Sequence, residues 1–173
     1  MCVRGYDSSK KVMFWDSEGV ILIAFPREQV TGQSYEDVLR TKCPPALREK
    51  WPKKAAAVLF HQDNAPSHRA ARVHQFLDDN NFEVVPHAPY SPDLAPSDFW
   101  LFPTLKGTLR GRTFSSRSAL ATAIFQWSER TPKEAFAAAM QSWRERCEKC
   151  VRLQRDYIEK LLHFQLPVVS SFF

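Results

Sequence analysis

The stretch Ala55-Ala56-Ala57-Val58-Leu59-Phe60-His61-Gln62-Asp63-Asn64 decides the fold of this 173-residue chain. Its first six residues form an unbroken apolar run without a helical period, which is typical of a strand buried on both faces. The run ends in polar residues, so Asp63 comes at the carboxyl end of a central strand. Open α/β sheets bind ligands in the crevice at that end. The stretch therefore predicts an α/β fold with Asp63 at a ligand-binding edge.

A helix and a second strand follow this edge. Apolar residues recur with helical spacing between residues 70 and 77, and the polar residues 78–81 end the pattern. Phe82-Glu83-Val84-Val85 then alternates in the manner of a short strand. Upstream, residues 34–40 predict the start of a helix. Residues 43–54 predict a loop because they contain three prolines.

A rigid loop leads to a second aspartate. Four prolines exclude regular structure between residues 86 and 97. Ser97 is predicted to cap a helix, which places Asp98 in the first turn, where a carboxylate is favoured. Thirty-four residues, 64 to 97, separate Asp63 from Asp98. The order strand, Asp63, helix, strand, loop, Asp98, helix allows the two carboxylates to meet.

Two segments closely resemble the catalytic core of mariner-type transposases. They are His61-Gln62-Asp63-Asn64-Ala65-Pro66-Ser67-His68 and Tyr90-Ser91-Pro92-Asp93-Leu94-Ala95-Pro96-Ser97-Asp98. That family has three aspartates, with thirty-four residues between the second and the third. The resemblance extends over residues 11–160 and includes a hairpin at 12–22, a basic segment at 105–114 and a closing motif at 156–160.

The resemblance implies a ribonuclease-H-like mixed α/β sheet flanked by helices, and metal-dependent cutting and joining of DNA. Asp63 and Asp98 would then be catalytic ligands of Mg²⁺ or Mn²⁺, the hard cations that carboxylate oxygens suit. DNA is the implied partner and a homodimer the implied assembly, with a nuclear location. No small-molecule substrate or organic cofactor is implied.

The first aspartate of the family lies in a strand several dozen residues before the hairpin, whereas ten residues precede Lys11 here. We therefore expect the fold to lack its first central strand and the chain to be catalytically impaired. Residues 4–9 predict a loop, and Asp16 opens a turn. Either Asp7 or Asp16 replaces the missing ligand, or both are turn aspartates that bind their own backbone, which the local sequence favours.

These expectations divide the chain into a non-family segment at 1–10, a partial catalytic domain at 11–163 and a tail at 164–173. Three alternatives remain open. The chain is a non-catalytic DNA-binding or protein-interaction module retained from a transposon, a decayed element, or part of a longer protein with all three aspartates.

The composition agrees with a DNA partner. The net charge is +5 and the isoelectric point is about 9.1, which favours a polyanion. No run approaches the roughly 20 apolar residues of a membrane span, and the first residues contain no signal-peptide core. We therefore expect an intracellular protein without a membrane partner.

The candidate DNA-binding residues are His68, Lys106, Arg110 and Arg112. The three basic residues follow the helix that begins at Asp98, so they would neutralise phosphates; a solvated helix face is the alternative. For His68 the alternative is a histidine on a helix surface. The run of residues 99–102 would stack on a base or, as its apolar character favours, pack the helix onto the sheet.

The last third of the chain predicts helices. Ser116 would cap one, and Thr131, Pro132 and Glu134 would form the capped start of a long helix that ends near residue 163. Cys147 and Cys150 have the spacing of half a zinc site, but they lie on the apolar stripe of this helix. Core packing is therefore favoured over zinc binding.

Overall fold

The protein forms a five-stranded mixed sheet with helices on both faces. This description rests on a computed structural model, which describes residues 2–7, 11–26, 30–52 and 58–153, the first of these ranges by its backbone alone. The strands are β1 (Cys2–Asp7), β2 (Lys11–Asp16), β3 (Gly19–Ala24), β4 (Val58–His61) and β5 (Phe82–Val85). The helices are α1 (Gly32–Thr41), α2 (Cys43–Lys50), α3 (Ala71–Asp79), α4 (Phe102–Leu109), α5 (Arg117–Arg130) and α6 (Lys133–Arg152).

The sheet has the strand order β3-β2-β1-β4-β5. β1, β2 and β3 pair in antiparallel fashion, whereas β1, β4 and β5 run parallel to one another. Val3 lies opposite Trp15 on one side and His61 on the other. The carboxyl ends of β1, β4 and β5 therefore share one edge of the sheet, and Asp63 follows β4 at that edge.

The presence of β1 corrects the expectation that the first central strand is absent. The sequence prediction of a loop over residues 4–9 is wrong for residues 4–7, which belong to Cys2–Asp7. Gly5 and Asp7 are poor strand formers, so local propensity disfavours a strand. Tertiary context decides instead, because β2 and β4 each offer a row of backbone groups whose loss of partners costs about 1–3 kcal/mol per buried group.

Each face of the sheet has its own core. On one face α1, α2 and α3 cover alternate strand residues, among them Phe14 and Phe60, together with Tyr35 from α1. On the other face α4, α5 and α6 cover Met13 and Trp15. This alternation follows from the period of two along a strand. It puts His61 against Trp143 of α6, at 4.5 Å between ring centroids.

Several predicted elements are confirmed. The hairpin at residues 12–22 is formed by β2 and β3, the helix predicted from residue 34 is α1, and the strand at 82–85 is β5. The apolar run before Asp63 is a strand from Val58 onward; its residues 55–57 lie outside the described part. Ser116 caps α5 as predicted, accepting a hydrogen bond from the backbone N–H of Ala119 at 3.1 Å.

Two local predictions are wrong. Residues 43–50 form α2 rather than a loop, because Pro44 and Pro45 occupy its first turn, where a missing N–H costs nothing. The predicted capping box of α6 does not form: the Thr131 hydroxyl donates to the carbonyl of Trp127 at 2.8 Å and so ends α5 instead. The α6 helix is described to Arg152; the remainder to residue 163, the motif at 156–160 and the tail at 164–173 lie outside the described residues.

Within the residues described, no helix combines the length and apolar character needed to cross a lipid bilayer.

Candidate metal and DNA site

Asp63 occupies the turn that follows β4. Its Oδ1 accepts a hydrogen bond from the backbone N–H of Ala65 at 3.1 Å, an arrangement typical of an aspartate that begins a turn. The same oxygen lies 2.5 Å from Nδ1 of His68. About a third of the Asp63 side chain, 35%, is exposed, so the carboxylate is held in place and still reachable from solvent.

His68 is buried, with only 1% of its side chain exposed. Its ring packs against the ring of Tyr35 at 4.8 Å between centroids, and Nδ1 also lies 3.2 Å from the backbone oxygen of Asp63. A buried ring offers no surface to a phosphate, and it is not on the surface of a helix either. The structure therefore supports neither a DNA-binding role nor a helix-surface position for His68. Its contact with Asp63 indicates a positioning role instead.

Asp98 lies in a single π-helical turn, Ser97–Leu101, which precedes α4. The prediction of Ser97 as an N-cap is wrong, because Ser97 is the first residue of that turn and its Oγ accepts from Nε1 of the buried Trp15 at 3.0 Å. The N–H of Asp98 donates to the carbonyl of Ala95 at 2.8 Å. π-helical turns are frequent at functional sites, and this one projects Asp98 into solvent at the edge where Asp63 lies.

The two aspartates interact electrostatically. Partial desolvation raises the pKa of Asp98, the negative charge of Asp63 raises it further, and the positive charge of Lys106 opposes both. Asp63 and Asp98 are thus close enough to repel each other, and a cation between them would relieve the repulsion. Their oxygens are the hard ligands that Mg²⁺ and Mn²⁺ prefer.

The side chains that the structure describes include no group of three histidines, cysteines or carboxylates able to hold a metal ion. Two carboxylates fit one weakly held divalent ion, whereas a two-ion centre needs further ligands. The backbone of Asp7, the last residue of β1, lies at the sheet edge that carries Asp63, because β1 runs parallel to β4.

Asp16 is a turn aspartate, as the local sequence favours. Its Oδ1 accepts from the backbone N–H of Glu18 at 2.8 Å and from Nζ of Lys50 at 3.0 Å, while Oδ2 accepts from Nε1 of Trp51 at 2.9 Å. It is buried and its charge is already balanced. Asp16 therefore does not replace a metal ligand.

A pair of histidines supports the site from behind. Nε2 of His61 lies 3.3 Å from Nδ1 of His87, whose backbone carbonyl accepts from the Asn64 amide at 2.9 Å. Burial, reinforced by the charge of His87, lowers the pKa of His61 to about 3; burial also lowers the pKa of His87. Both rings are neutral at pH 7. Their contact therefore links the loop after β5 to β4 without placing a positive charge beside the site. Sequence analysis missed this pair because its members lie 26 residues apart.

The predicted basic residues lie on and after α4. Lys106 is exposed on α4 and its charge reaches Asp98. Arg110 and Arg112 are exposed beyond the end of the helix, and the Arg112 guanidinium lies over the Phe114 ring at 5.2 Å. All three side chains are exposed, so a phosphate could reach them. Their contact with phosphate stays a prediction.

Packing is the better interpretation of two other sequence features. Leu101 and Phe102 are buried, and Trp100 packs on Trp15 at 5.3 Å between ring centroids. Cys147 packs against the same core, and burial raises the pKa of its thiol to about 11. A thiol held neutral in this way is a poor zinc ligand.

No model of a known protein family matches the chain. It is similar to the Mariner Mos1 transposase of Drosophila mauritiana, with 37% identity over 158 residues, covering 87% of this chain and 46% of that protein. It is also similar to the histone-lysine N-methyltransferase SETMAR of Homo sapiens, with 30% identity, covering 87% of this chain and 23% of that protein. The chain thus spans less than half the length of either relative.

Solved structures show the same similarity in three dimensions. The Mos1 transposase catalytic domain, solved with Raltegravir and Mn, superposes with a TM-score of 0.77 at 34% identity, covering 88% of this chain and 80% of that one. The Mos1 paired end complex with Mn superposes with a TM-score of 0.78 at 36% identity, covering 85% of this chain and 44% of that one.

Proposed function

Because the chain belongs to the mariner-type transposase family and has its ribonuclease-H-like catalytic fold, we propose that it acts on DNA through Asp63 and Asp98, with Mg²⁺ or Mn²⁺ as the metal. One observation supports this most strongly: Asp63 and Asp98 lie close enough at the open edge of the sheet that the charge of Asp63 adds to the larger effect of desolvation in raising the pKa of Asp98. A divalent cation held between two such carboxylates would relieve their mutual repulsion.

The reaction that this site fits is cleavage and transfer of DNA strands. A bound divalent ion would stabilise charge that develops on the phosphodiester oxygens. The chain itself supplies the rest: His68 fixes the rotamer of Asp63, the Trp15–Ser97 hydrogen bond fixes the turn of Asp98, and Lys106 adds positive charge beside it.

We further propose that cleavage by this chain alone is slow, because the described side chains provide two metal-binding carboxylates and two-ion chemistry uses more. Asp7 is the residue whose replacement tests this point. If its carboxylate completes the site, Asp7→Asn will abolish the residual activity; if not, it will leave the activity unchanged.

Nicking of supercoiled DNA, measured in Mg²⁺ and in Mn²⁺, tests the function. We expect slow nicking that is lost in both Asp63→Asn and Asp98→Asn and retained in Asp93→Asn, an exposed carboxylate on the same loop. Nicking that survives in all three variants would assign the activity elsewhere. DNA binding without any nicking would favour the alternative of a retained, non-catalytic DNA-binding module.

The homodimer and the nuclear location implied by the resemblance are parts of the same proposal. Sedimentation of the protein with and without DNA tests the first, and fluorescence microscopy of a tagged chain tests the second. A monomer in both sedimentation experiments contradicts the dimer.

A further inference from the structure

A shallow groove of about 290 Å³ lies between the end of α4 and the helix α5. We call it the α4–α5 groove. Its polar and aromatic lining comprises Thr108, Arg112, Gln126, Trp127, Arg130 and Thr131. Pockets for drug-sized ligands occupy about 300–1,000 Å³ and enclose them. This groove is smaller and open, so it suits charged groups on the surface of a larger molecule rather than an enclosed small ligand.

The groove is positively charged and its charge is not balanced locally. Arg112 and Arg130 both line it, and no carboxylate does. Glu129 and Glu134 are near in sequence but are not part of the lining. Across the part of the chain that the structure describes, neither guanidinium forms an ion pair. Two neighbouring cations without a counter-charge favour the binding of an anion.

The guanidinium groups suit a phosphodiester in particular. Each presents several N–H donors in a planar fork that matches two phosphate oxygens. The exposed Gln126 amide adds a neutral donor beside them. The Thr108 and Thr131 hydroxyls already donate hydrogen bonds to the carbonyls of Thr104 and Trp127. Recognition would therefore rest on the two arginines.

The groove lies at the end of α4 that is farther from Asp98. The π-helical turn that contains Asp98 continues directly into α4, with Lys106 between Asp98 and Thr108. Ten residues at about 1.5 Å each place the groove roughly 15 Å from Asp98. Base pairs stack about 3.4 Å apart, so this distance corresponds to about four base pairs.

We propose that the α4–α5 groove is a second DNA contact, in which Arg112 and Arg130 each neutralise a backbone phosphate of the duplex held at Asp63 and Asp98. The proposal rests on the proposed function, since it needs DNA as the substrate. It extends the predicted role of Arg112 and adds Arg130, which the sequence did not single out. The contact is independent of base sequence because it involves phosphates alone.

The salt dependence of DNA binding tests the groove. The affinity of the full chain for a short duplex of arbitrary sequence is measured by fluorescence anisotropy at several salt concentrations, for the wild type, Arg112→Gln, Arg130→Gln and the double variant. Each phosphate contact contributes about 0.9 to the slope of log affinity against log salt. We expect each single variant to reduce the slope by about 0.9 and the double variant by about twice as much.

Matched variants separate charge from structure. Arg48→Gln removes an exposed arginine from α2, on the opposite face of the sheet, and should leave the slope unchanged. Arg112→Lys and Arg130→Lys keep the charge and should retain the slope. Thermal unfolding checks that Arg112→Gln, which loses its contact with Phe114, remains folded.

Two negative results have different meanings. If the wild type binds DNA in a salt-dependent way and the double variant has the same slope, the groove is not a DNA contact. The proposed function is unaffected by that result. If the folded wild-type chain does not bind DNA at low salt, the proposed function is contradicted. The role of the groove as a DNA contact is then contradicted too.

Discussion

Nδ1 of the buried His68 lies 2.5 Å from Oδ1 of the partly exposed Asp63. This contact joins the interior of the protein to its candidate metal site. Tyr35, whose hydroxyl donates to Oε1 of Gln62 at 3.0 Å, packs on the same histidine ring. The orientation of Asp63 is therefore set by packing between β4, α1 and the turn before α3, rather than by Asp63 itself.

Replacement of His68 should weaken metal binding without removing a metal ligand. Groups that orient a ligand typically contribute 10- to 100-fold to metal affinity, so we expect His68→Ala to reduce Mn²⁺ affinity at least tenfold. His68→Asn should retain part of it, since its amide can still reach Asp63. Isothermal titration with Mn²⁺ measures the effect. Equal affinity in His68→Ala and wild type would contradict the positioning role.

The raised pKa of Asp98 predicts that its charge destabilises the fold. A carboxyl group whose pKa is higher when folded binds its proton more tightly in the folded state, so stability falls as pH rises through that range. Asp98→Asn should therefore raise the unfolding temperature at pH 7, and the gain should disappear at a pH below the ordinary pKa of aspartate. Thermal unfolding at both pH values checks this. A lower unfolding temperature at pH 7 would show that Asp98 is stabilised by its surroundings instead.

The depressed pKa of His61 predicts the opposite trend. The folded state keeps this ring neutral to about pH 3, whereas the unfolded chain protonates it near pH 6.5. The contribution of His61 to the free energy of unfolding is therefore fully present above pH 6.5. It decreases as pH falls between these values, by at most about 1.4 kcal/mol per pH unit. Urea unfolding at pH 7.5 and pH 5.5 should show the decrease. His61→Phe should flatten it, and an equally steep decrease in that variant would assign it to other groups.

Loss of the Ser97 hydroxyl should destabilise the protein and disturb Asp98. Ser97→Ala leaves the buried Trp15 N–H without an acceptor, which costs about 1–3 kcal/mol. In a double-mutant cycle with Trp15→Phe, the Ser97→Ala cost should largely vanish, because the unsatisfied donor is gone. Urea unfolding of the four proteins measures the coupling. Additive effects would show that the hydrogen bond contributes nothing.

The sequence predicts the placement of the two aspartates better than the frame around them. The apolar run before Asp63 and the prolines before Asp98 have local causes, and both aspartates reach the expected edge. β1 is missed because Gly5 and Asp7 disfavour a strand, and only pairing with β2 and β4 makes residues 2–7 extended. The burial of His68 is likewise invisible locally, since it results from packing against Tyr35, 33 positions earlier in the chain.

The helical start at Thr131 shows how two correct rules can compete. Thr131 has the composition of an N-cap for α6, yet it also follows the last turn of α5, where its hydroxyl finds the carbonyl of Trp127. A residue between two helices can serve one end or the other. The sequence does not reveal which helix end Thr131 will cap, because that depends on how α5 and α6 pack on the sheet.

Manganese binding tests the central claim, that Asp63 and Asp98 together hold a divalent ion. Electron paramagnetic resonance counts free Mn²⁺ as it is added to the folded wild type, Asp63→Asn, Asp98→Asn and the control Asp93→Asn. We expect the wild type and the control to bind Mn²⁺ alike, and both other variants to lose this binding. Unchanged binding in Asp63→Asn and Asp98→Asn, or no binding by a cooperatively folded wild type, would contradict the account.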